Sequence, residues 1–510
     1  MAPSRDNKSG KPPQRKVGGE PASRPAKKST GSARKAPSSS AKPKPKAHGT
    51  KGSHSAVPRG IVSRAGRLAF TSFKGSVRLA MYAPRKLLHL SSTQKMLEEM
   101  HAATARELVD TLGRLKGAAM KVGQLASFID AGVLPPGVRD LYQATLGSLR
   151  DAAPPMNPRL VNEAFVREFE AEPDELFLTF EMKPFAAASL GQVHRARMTD
   201  GRDVVVKIQY PGIDAAVKSD LAMTAAVKPL LPLLAPGLEV DEAMEEIRAR
   251  VLEECDYLYE AKSLDYLAER YEGHPFVWVP RSIPERSSLR ILTMERATGM
   301  PFDQMRKLPQ AQRDRIGEIL FRFYYGSLHR YGFTSADPHP GNYMLMEDGR
   351  MAFFDFGLAC HLRDEMKPDM LQGLQALNKG DVKKFFKAGI EMGYVSNTGG
   401  IDPERFFEWG CFSLAPLITD EDYTFTRAFI ADRTSALLDV RNPWWSFIRR
   451  LNMPSWAILL YRLELGLFAV LAQLGATGNW HRMTMEFYGK VKPTTELGRI
   501  EREWLSGRPG

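Results

Sequence analysis

At 510 residues the chain exceeds one ordinary hydrophobic core, so at least two packed units are expected. Its formal charge of +12 suggests a nucleic-acid binder only until the charge is located: residues 1–60 hold 15 of the 71 Lys/Arg and 2 of the 59 Asp/Glu, which leaves 56 basic and 57 acidic residues for a near-neutral remainder. A specific nucleic-acid interface is therefore not expected, and three cysteines, Cys255, Cys360 and Cys411, at no metal-ligand spacing exclude a thiolate metal centre.

Residues 1–58 are built from Pro, Lys, Ser, Ala and Gly with almost no large apolar side chains, and they predict a disordered basic tail because burial there cannot offset chain entropy. Lys outnumbers Arg and repeated prolines oppose a long amphipathic helix, which disfavours mitochondrial import; no apolar signal-peptide core follows the start, which disfavours secretion. The expected setting is cytoplasmic, with peripheral attachment to a membrane surface. Between Ile61 and Met81, Phe70, Phe73 and Val77 share one helical face and Arg67, Lys74 and Arg78 the adjacent one, which suits packing on the protein itself, on a membrane or on a partner. Leu97, Met100, Leu108, Leu112 and Leu115 recur at helical spacing, Pro135-Pro136 interrupts the helical pattern, and Pro154-Pro155 ends it. A helical extension is thus predicted over 59–174.

After Asp174 the texture changes. Leu178–Phe185, Gln192–Met198 and Asp203–Tyr210 read as strands, the last two joined by a Thr199-Asp200-Gly201 turn. Asp241–Arg270 reads as one helical run, and Phe276–Val279 and Leu289–Met294 as further strands, composing a small β-rich lobe over 175–298. Residues 299–510 are mostly helical, interrupted by a hairpin from Tyr343 to Phe354 around Glu347-Asp348-Gly349. The most apolar window, Trp456–Leu474, carries Arg462 and Glu464, so a buried or interface-facing helix is expected there rather than a membrane span of about 20 apolar residues.

The strongest chemical signal is Ala336-Asp337-Pro338-His339-Pro340-Gly341-Asn342, followed across one hairpin by Asp355-Phe356-Gly357. An Asp and an Asn separated by four residues, then an Asp before Phe-Gly, reproduce the spacing of a protein-kinase catalytic loop and metal loop. Phosphoryl chemistry needs hard oxygen ligands for Mg²⁺ and little covalent participation by the protein, so Asn342 and Asp355 are candidate metal ligands and Asp337 the candidate that orients, or takes a proton from, an attacking hydroxyl or water. Upstream, Val204-Val205-Val206-Lys207 is a strand ending in a lysine that would contact the α/β-phosphates of ATP. Glu260 is favoured as its carboxylate partner, although spacing alone does not separate it from Glu253 on the same helical face. Glu295, closing the last strand of the small lobe, is the candidate hinge against adenine. These assignments predict an α+β, bilobal protein-kinase-like fold with a β-rich N-lobe and a helical C-lobe.

Two departures from an ordinary protein kinase stand out. The loop Ala186-Ala187-Ala188-Ser189-Leu190-Gly191-Gln192-Val193, the candidate nucleotide-binding loop, has alanine where the first two glycines of the phosphate loop would stand and keeps only Gly191. After Asp355-Phe356-Gly357 there is no Ala-Pro-Glu signature and no Ser or Thr to phosphorylate, so a peptide-docking platform is not expected.

With its alanine-rich loop and Ala-Asp-Pro-His-Pro-Gly-Asn loop, the chain resembles the UbiB family, the AarF-domain (ADCK-type) atypical kinases linked to ubiquinone and other isoprenoid-lipid metabolism. It also carries Lys121-Val122-Gly123-Gln124 where that family has K-x-G-Q, and Glu254-Cys255-Asp256 where it has E-x-D. The resemblance implies a Lys207–Glu260 ion pair, metal binding by Asn342 and Asp355, and Asp337 as the catalytic-loop acid. It also implies that the helix bearing Lys121 and Gln124 covers the nucleotide cleft near Glu254 and Asp256. As function it implies a lipid-associated Mg-ATP-dependent ATPase supporting ubiquinone or other isoprenoid-lipid metabolism, with an isoprenoid or quinone-type lipid or a lipid-biosynthesis complex as partner. The alternatives are a nucleotide-gated lipid- or complex-binding protein without productive turnover, and a kinase of a small molecule or protein.

Overall fold

The structure, a computed structural model, describes residues 156–188, 190–215, 217–218, 237–395, 400–439 and 441–508. The basic tail, the extension predicted as helical up to residue 155 with Lys121 and Gln124, and Ser189 of the alanine-rich loop lie outside the described residues.

The small lobe is built on an antiparallel sheet of five strands. β1 (Thr179–Phe180), β3 (Gly191–Arg197), β4 (Asp203–Gln209) and β6 (Ile291–Glu295) lie side by side in that order, and β2 (Ala186–Ala187) also pairs with β3. The predicted single strand over 178–185 is instead two short pieces: the chain bends at Met182 and Lys183 before Pro184, which has no N–H for a ladder, and Ala186 and Ala187 resume pairing opposite Val193 and Gln192. Along β4, Val204, Val206 and Ile208 are buried against helix α1 (Pro158–Phe169) through Val161 and Phe165, and the two-residue period turns Val205, Lys207 and Gln209 to the other face. A polar relay crosses this lobe. Met156 N–H donates to Gln192 Oε1 (2.8 Å), Gln192 Nε2 lies 2.7 Å from His194 Nε2, and His194 Nδ1 lies 2.7 Å from the Glu181 carbonyl.

The helical run predicted over 241–270 is two helices, α2 (Val240–Glu253) and α3 (Tyr257–Arg270). The break falls at Asp256, whose carboxylate accepts from Leu258 N and Tyr259 N and so caps α3. Strand β5 (Val277–Trp278) then pairs parallel with β9 (Met351–Phe353), which is antiparallel to β8 (Tyr343–Leu345).

In the large lobe, α4 (Gln310–Tyr331) runs through the core with Ile316, Phe323 and Tyr324 buried. It ends at Gly332, whose positive φ of 65° and the Leu362 carbonyl, 2.8 Å from where a Cβ would sit, both require glycine. β7 (Phe333–Ser335) follows directly and pairs antiparallel with β10 (Ala359–His361). Helices α5 (Lys367–Lys379), α6 (Val382–Glu391) and α7 (Pro403–Ser413) enclose a satellite core around Phe385 and Phe406. α8 (Arg427–Leu438), α9 (Ser455–Leu474), α10 (Trp480–Phe487) and α11 (Glu496–Ser506) complete the lobe. α9 is long and apolar enough to cross a membrane, yet Leu463, Leu467, Phe468 and Leu471 are buried in the core that it shares with α4. α11 is fastened by Glu501, which accepts from Arg322 (2.9 Å) and Arg330 (2.8 Å).

Candidate active site

Three elements bring the central charges together. Lys207 stands on the inner face of β4, Glu260 on the first turn of α3, and Asp355 on the loop after β9. Lys207 Nζ lies 2.5 Å from Glu260 Oε1 and 3.3 Å from Asp355 Oδ2. Burial works against the ammonium, but Asp355 and Glu260 outweigh it and hold the Lys207 pKa above the usual lysine range. Burial raises the Glu260 pKa despite Lys207 and the N–H of Phe356, which faces Glu260 from the Asp355-Phe356-Gly357 turn. Phe356 is fully buried beside Phe323 of α4 and anchors that turn in the core. Glu253 is paired with Arg250 (2.6 Å) on α2, and the break at residues 254–256 puts it on a different helix from Glu260.

The two functional loops open from one frame. The chain runs from β7 through residues 336–342 to β8, turns into β9, and passes through 354–358 to β10, which returns to pair with β7. Ala336 N–H donates to the Leu358 carbonyl (2.8 Å) and Phe354 N–H to the Asn342 carbonyl (3.1 Å), which closes the frame and holds the loops side by side. Asn342 Nδ2 donates to the Asp337 carbonyl (3.0 Å), and Asp337 N–H donates to Ser335 Oγ (3.3 Å). His339 Nδ1 accepts from Gly341 N–H (3.0 Å), shaping the turn between them. The Asp337 carboxylate meets a residue from far along the chain: Arg462 of α9, with Nη2 3.0 Å from Oδ1.

Other candidate residues have more local work. Asp256 fixes the start of the helix that carries Glu260, and Glu254 ends α2 just before it. Gln209, two residues beyond Lys207 on the same face, donates to the Cys255 carbonyl (2.8 Å) and so holds this joint against the sheet. Glu295 closes β6 opposite Val204, and its carboxylate accepts from Arg281 N–H (2.9 Å). Val193 sits directly across from Lys207. Gly191 has a packing reason of its own, since a Cβ there would lie 2.1 Å from the Ile208 carbonyl oxygen. Among the described residues Glu170 is the one non-glycine with positive φ, so Ala186 and Ala188 do not occupy the conformations for which a phosphate loop uses glycine.

The donor set suits Mg²⁺ held jointly with phosphates. With its amide nitrogen bound to the Asp337 carbonyl, Asn342 keeps its side-chain oxygen for a hard cation, and Asp355 adds a carboxylate. Among the described residues no group of three or more His, Cys, Asp or Glu could hold a metal. Sequence reasoning missed Arg462 and Gln209. The signal for Arg462 was a charge inside an apolar helical window, read there only as an argument against a membrane span.

Comparison with known proteins bears on the fold that carries these residues. Residues 148–388 match the ABC1 atypical kinase-like domain. The chain is 29% identical over 382 residues to the mitochondrial atypical kinase coq-8 of Caenorhabditis elegans, covering 74% of this chain and 49% of that protein. It is 27% identical over 394 residues to the mitochondrial atypical kinase COQ8B of Danio rerio, covering 76% and 62%. The matched region thus spans less than two thirds of either relative. Among solved structures, Rv3197 of Mycobacterium tuberculosis, determined in complex with erythromycin, matches with a TM-score of 0.55 at 28% identity, covering 78% of this chain and all of that one. The fold is α+β and protein-kinase-like.

Proposed function

From its ABC1 atypical kinase-like domain and its membership of the UbiB (ADCK-type) family, we propose that this chain binds Mg-ATP and hydrolyses it in support of ubiquinone or other isoprenoid-lipid metabolism. The observation that carries the reading is the buried Lys207–Glu260 pair with Asp355 beside it, because a lysine aligned by a carboxylate next to a metal-binding Asp is the charge arrangement that phosphoryl chemistry needs. Asn342 and Asp355 hold Mg²⁺, which when bound neutralises charge on the phosphates. Lys207 binds the α/β-phosphates and is kept in place by Glu260. Asp337 orients the attacking water and accepts its proton.

Peripheral attachment to a membrane surface and contact with a lipid-biosynthesis complex belong to the same proposal. The relatives carry mitochondrial names, so the expectation that import is disfavoured gains no support from them.

The test is Mg-ATP turnover by the purified chain beside its Asp355→Asn variant. Loss of about 100-fold or more in turnover is expected, in line with removal of a charge-stabilising group at the reacting phosphates. Normal turnover in Asp355→Asn removes the metal assignment. Vesicle binding that needs Mg-ATP while the wild-type chain shows no turnover replaces hydrolysis with nucleotide-gated lipid binding.

A further inference from the structure

The pairing of Arg462 with Asp337 is unlike the other charge contacts of the site. Asp337 is already fixed at its backbone on both sides, by Ser335 Oγ and by Asn342 Nδ2, so the remaining freedom lies in its carboxylate torsions. Arg462 removes that freedom from outside the loop. It projects from α9, a helix seated in the core through Leu459, Leu460 and Leu463, so the guanidinium comes from a rigid support. The Arg462 and Asp337 side chains are only 17% and 26% exposed. A guanidinium this sheltered among leucines is costly unless it has a specific partner.

The shortest approach is to Oδ1. Oδ1 is buried and, although 3.0 Å from Nη2, makes no well-aligned hydrogen bond, so charge attraction holds it. Lys207, Arg462, Glu260, Asp337 and Asp355 together carry a net charge of −1, with each aspartate beside a cation from a separate element. Lys207 stands beside Asp355, and Arg462 beside Asp337.

We infer that Arg462 is a positioning residue for the hydrolysis proposed above, on which this role rests: it holds Oδ1 of Asp337 so that Oδ2 faces the attacking water in one orientation. The residue acts through Asp337, and the nucleotide is bound by other groups.

The test uses the full chain and follows both steady-state Mg-ATP turnover and Mg-ATP affinity. Arg462→Ala should lower kcat by about 10- to 100-fold, the scale of a small misplacement of a reacting group, with KM and nucleotide Kd within about twofold of wild type. Arg462→Lys should recover part of the rate, because it returns the charge without the planar fork. The double variant Asp337→Ala/Arg462→Ala should be no slower than Asp337→Ala alone. Should Arg462→Ala not fold, Arg462→Gln carries the same comparison. Unchanged turnover, multiplied losses in the double variant, or a loss confined to nucleotide affinity overturns the role. Wild-type chain that binds Mg-ATP without turning it over removes the hydrolysis reading and this role together, whereas normal wild-type turnover with an indifferent Arg462→Ala removes the role alone.

Discussion

Replacing Lys207 should destabilise the protein more than replacing Glu260, although the two form one ion pair. The Lys207 and Glu260 side chains are 9% and 6% exposed, so neither has water to fall back on. Removing one partner of such a pair strands the other, at a cost of about 3–5 kcal/mol. After Glu260→Gln, however, Lys207 still has Asp355 at 3.3 Å, and the loss falls to about 2 kcal/mol, the worth of a hydrogen bond to a charged group. After Lys207→Met, Glu260 and Asp355 are left together without a cation and the full cost applies, lowering the melting temperature by about 6–20 °C. Lys207→Met/Glu260→Leu should recover much of it, since an apolar pair strands no charge. The pH dependence gives a second readout. Burial already holds the folded-state pKa of Glu260 above its unfolded value of about 4.3, and with Lys207 gone it rises further, so the variant loses more stability than wild type as pH rises between those values. Its deficit against wild type should therefore shrink towards about pH 4. Thermal melts of the three variants across pH decide the matter. Equal losses in the two single variants, or a deficit that does not change with pH, would refute the asymmetry.

Two further outcomes rest on the packing. Glu501 is 1% exposed, and Arg330, His274 and Arg322 overcome its burial to hold the carboxyl well below the usual carboxylate range. Its contribution is therefore fully present above its unfolded pKa, about 4.3, and fades as pH falls towards the lower folded value. Glu501→Gln should cost about 3–5 kcal/mol at pH 7 and flatten the acid limb of the melting profile; an unaltered profile contradicts the assignment. Gly191→Ala should cost about 1–3 kcal/mol by pushing β3 off the Ile208 carbonyl, and should weaken Mg-ATP binding because Lys207 lies on the displaced strand pair. Normal melting together with normal affinity counts against that packing role.

Elements with strong periodic patterns were legible from residues alone. The β3–β4 hairpin, with its turn at Gly201, and the β8–β9 hairpin, with its turn at Gly349, match the predicted spans to within one residue at β3 because alternating side chains and a glycine at positive φ are local properties. α9 was legible as a buried or interface-facing helix from two charges in an apolar run, and its packing shows it buried. The break between α2 and α3 was not, because helix formers continue across it and only the capping of Leu258 and Tyr259 by Asp256 reveals it. β7 and β10 are three residues each, too short to carry a period, and exist because they pair with each other.

The sequence by itself determined the chemical inventory of the site: a strand lysine, an Asp and an Asn with four residues between them, an Asp before Phe-Gly, and alanines in place of glycines. Those features depend on residue type and near spacing, which a single chain displays directly. Tertiary structure alone decided which carboxylate meets Lys207, since Glu253 and Glu260 share a helical face only if the helix is continuous, and it is not. It also decided that Asp337 has a cation, because Arg462 lies 125 positions further along the chain and reaches it only when α9 is packed in the core. Contacts of that separation are set by packing of whole elements, and no local pattern encodes them.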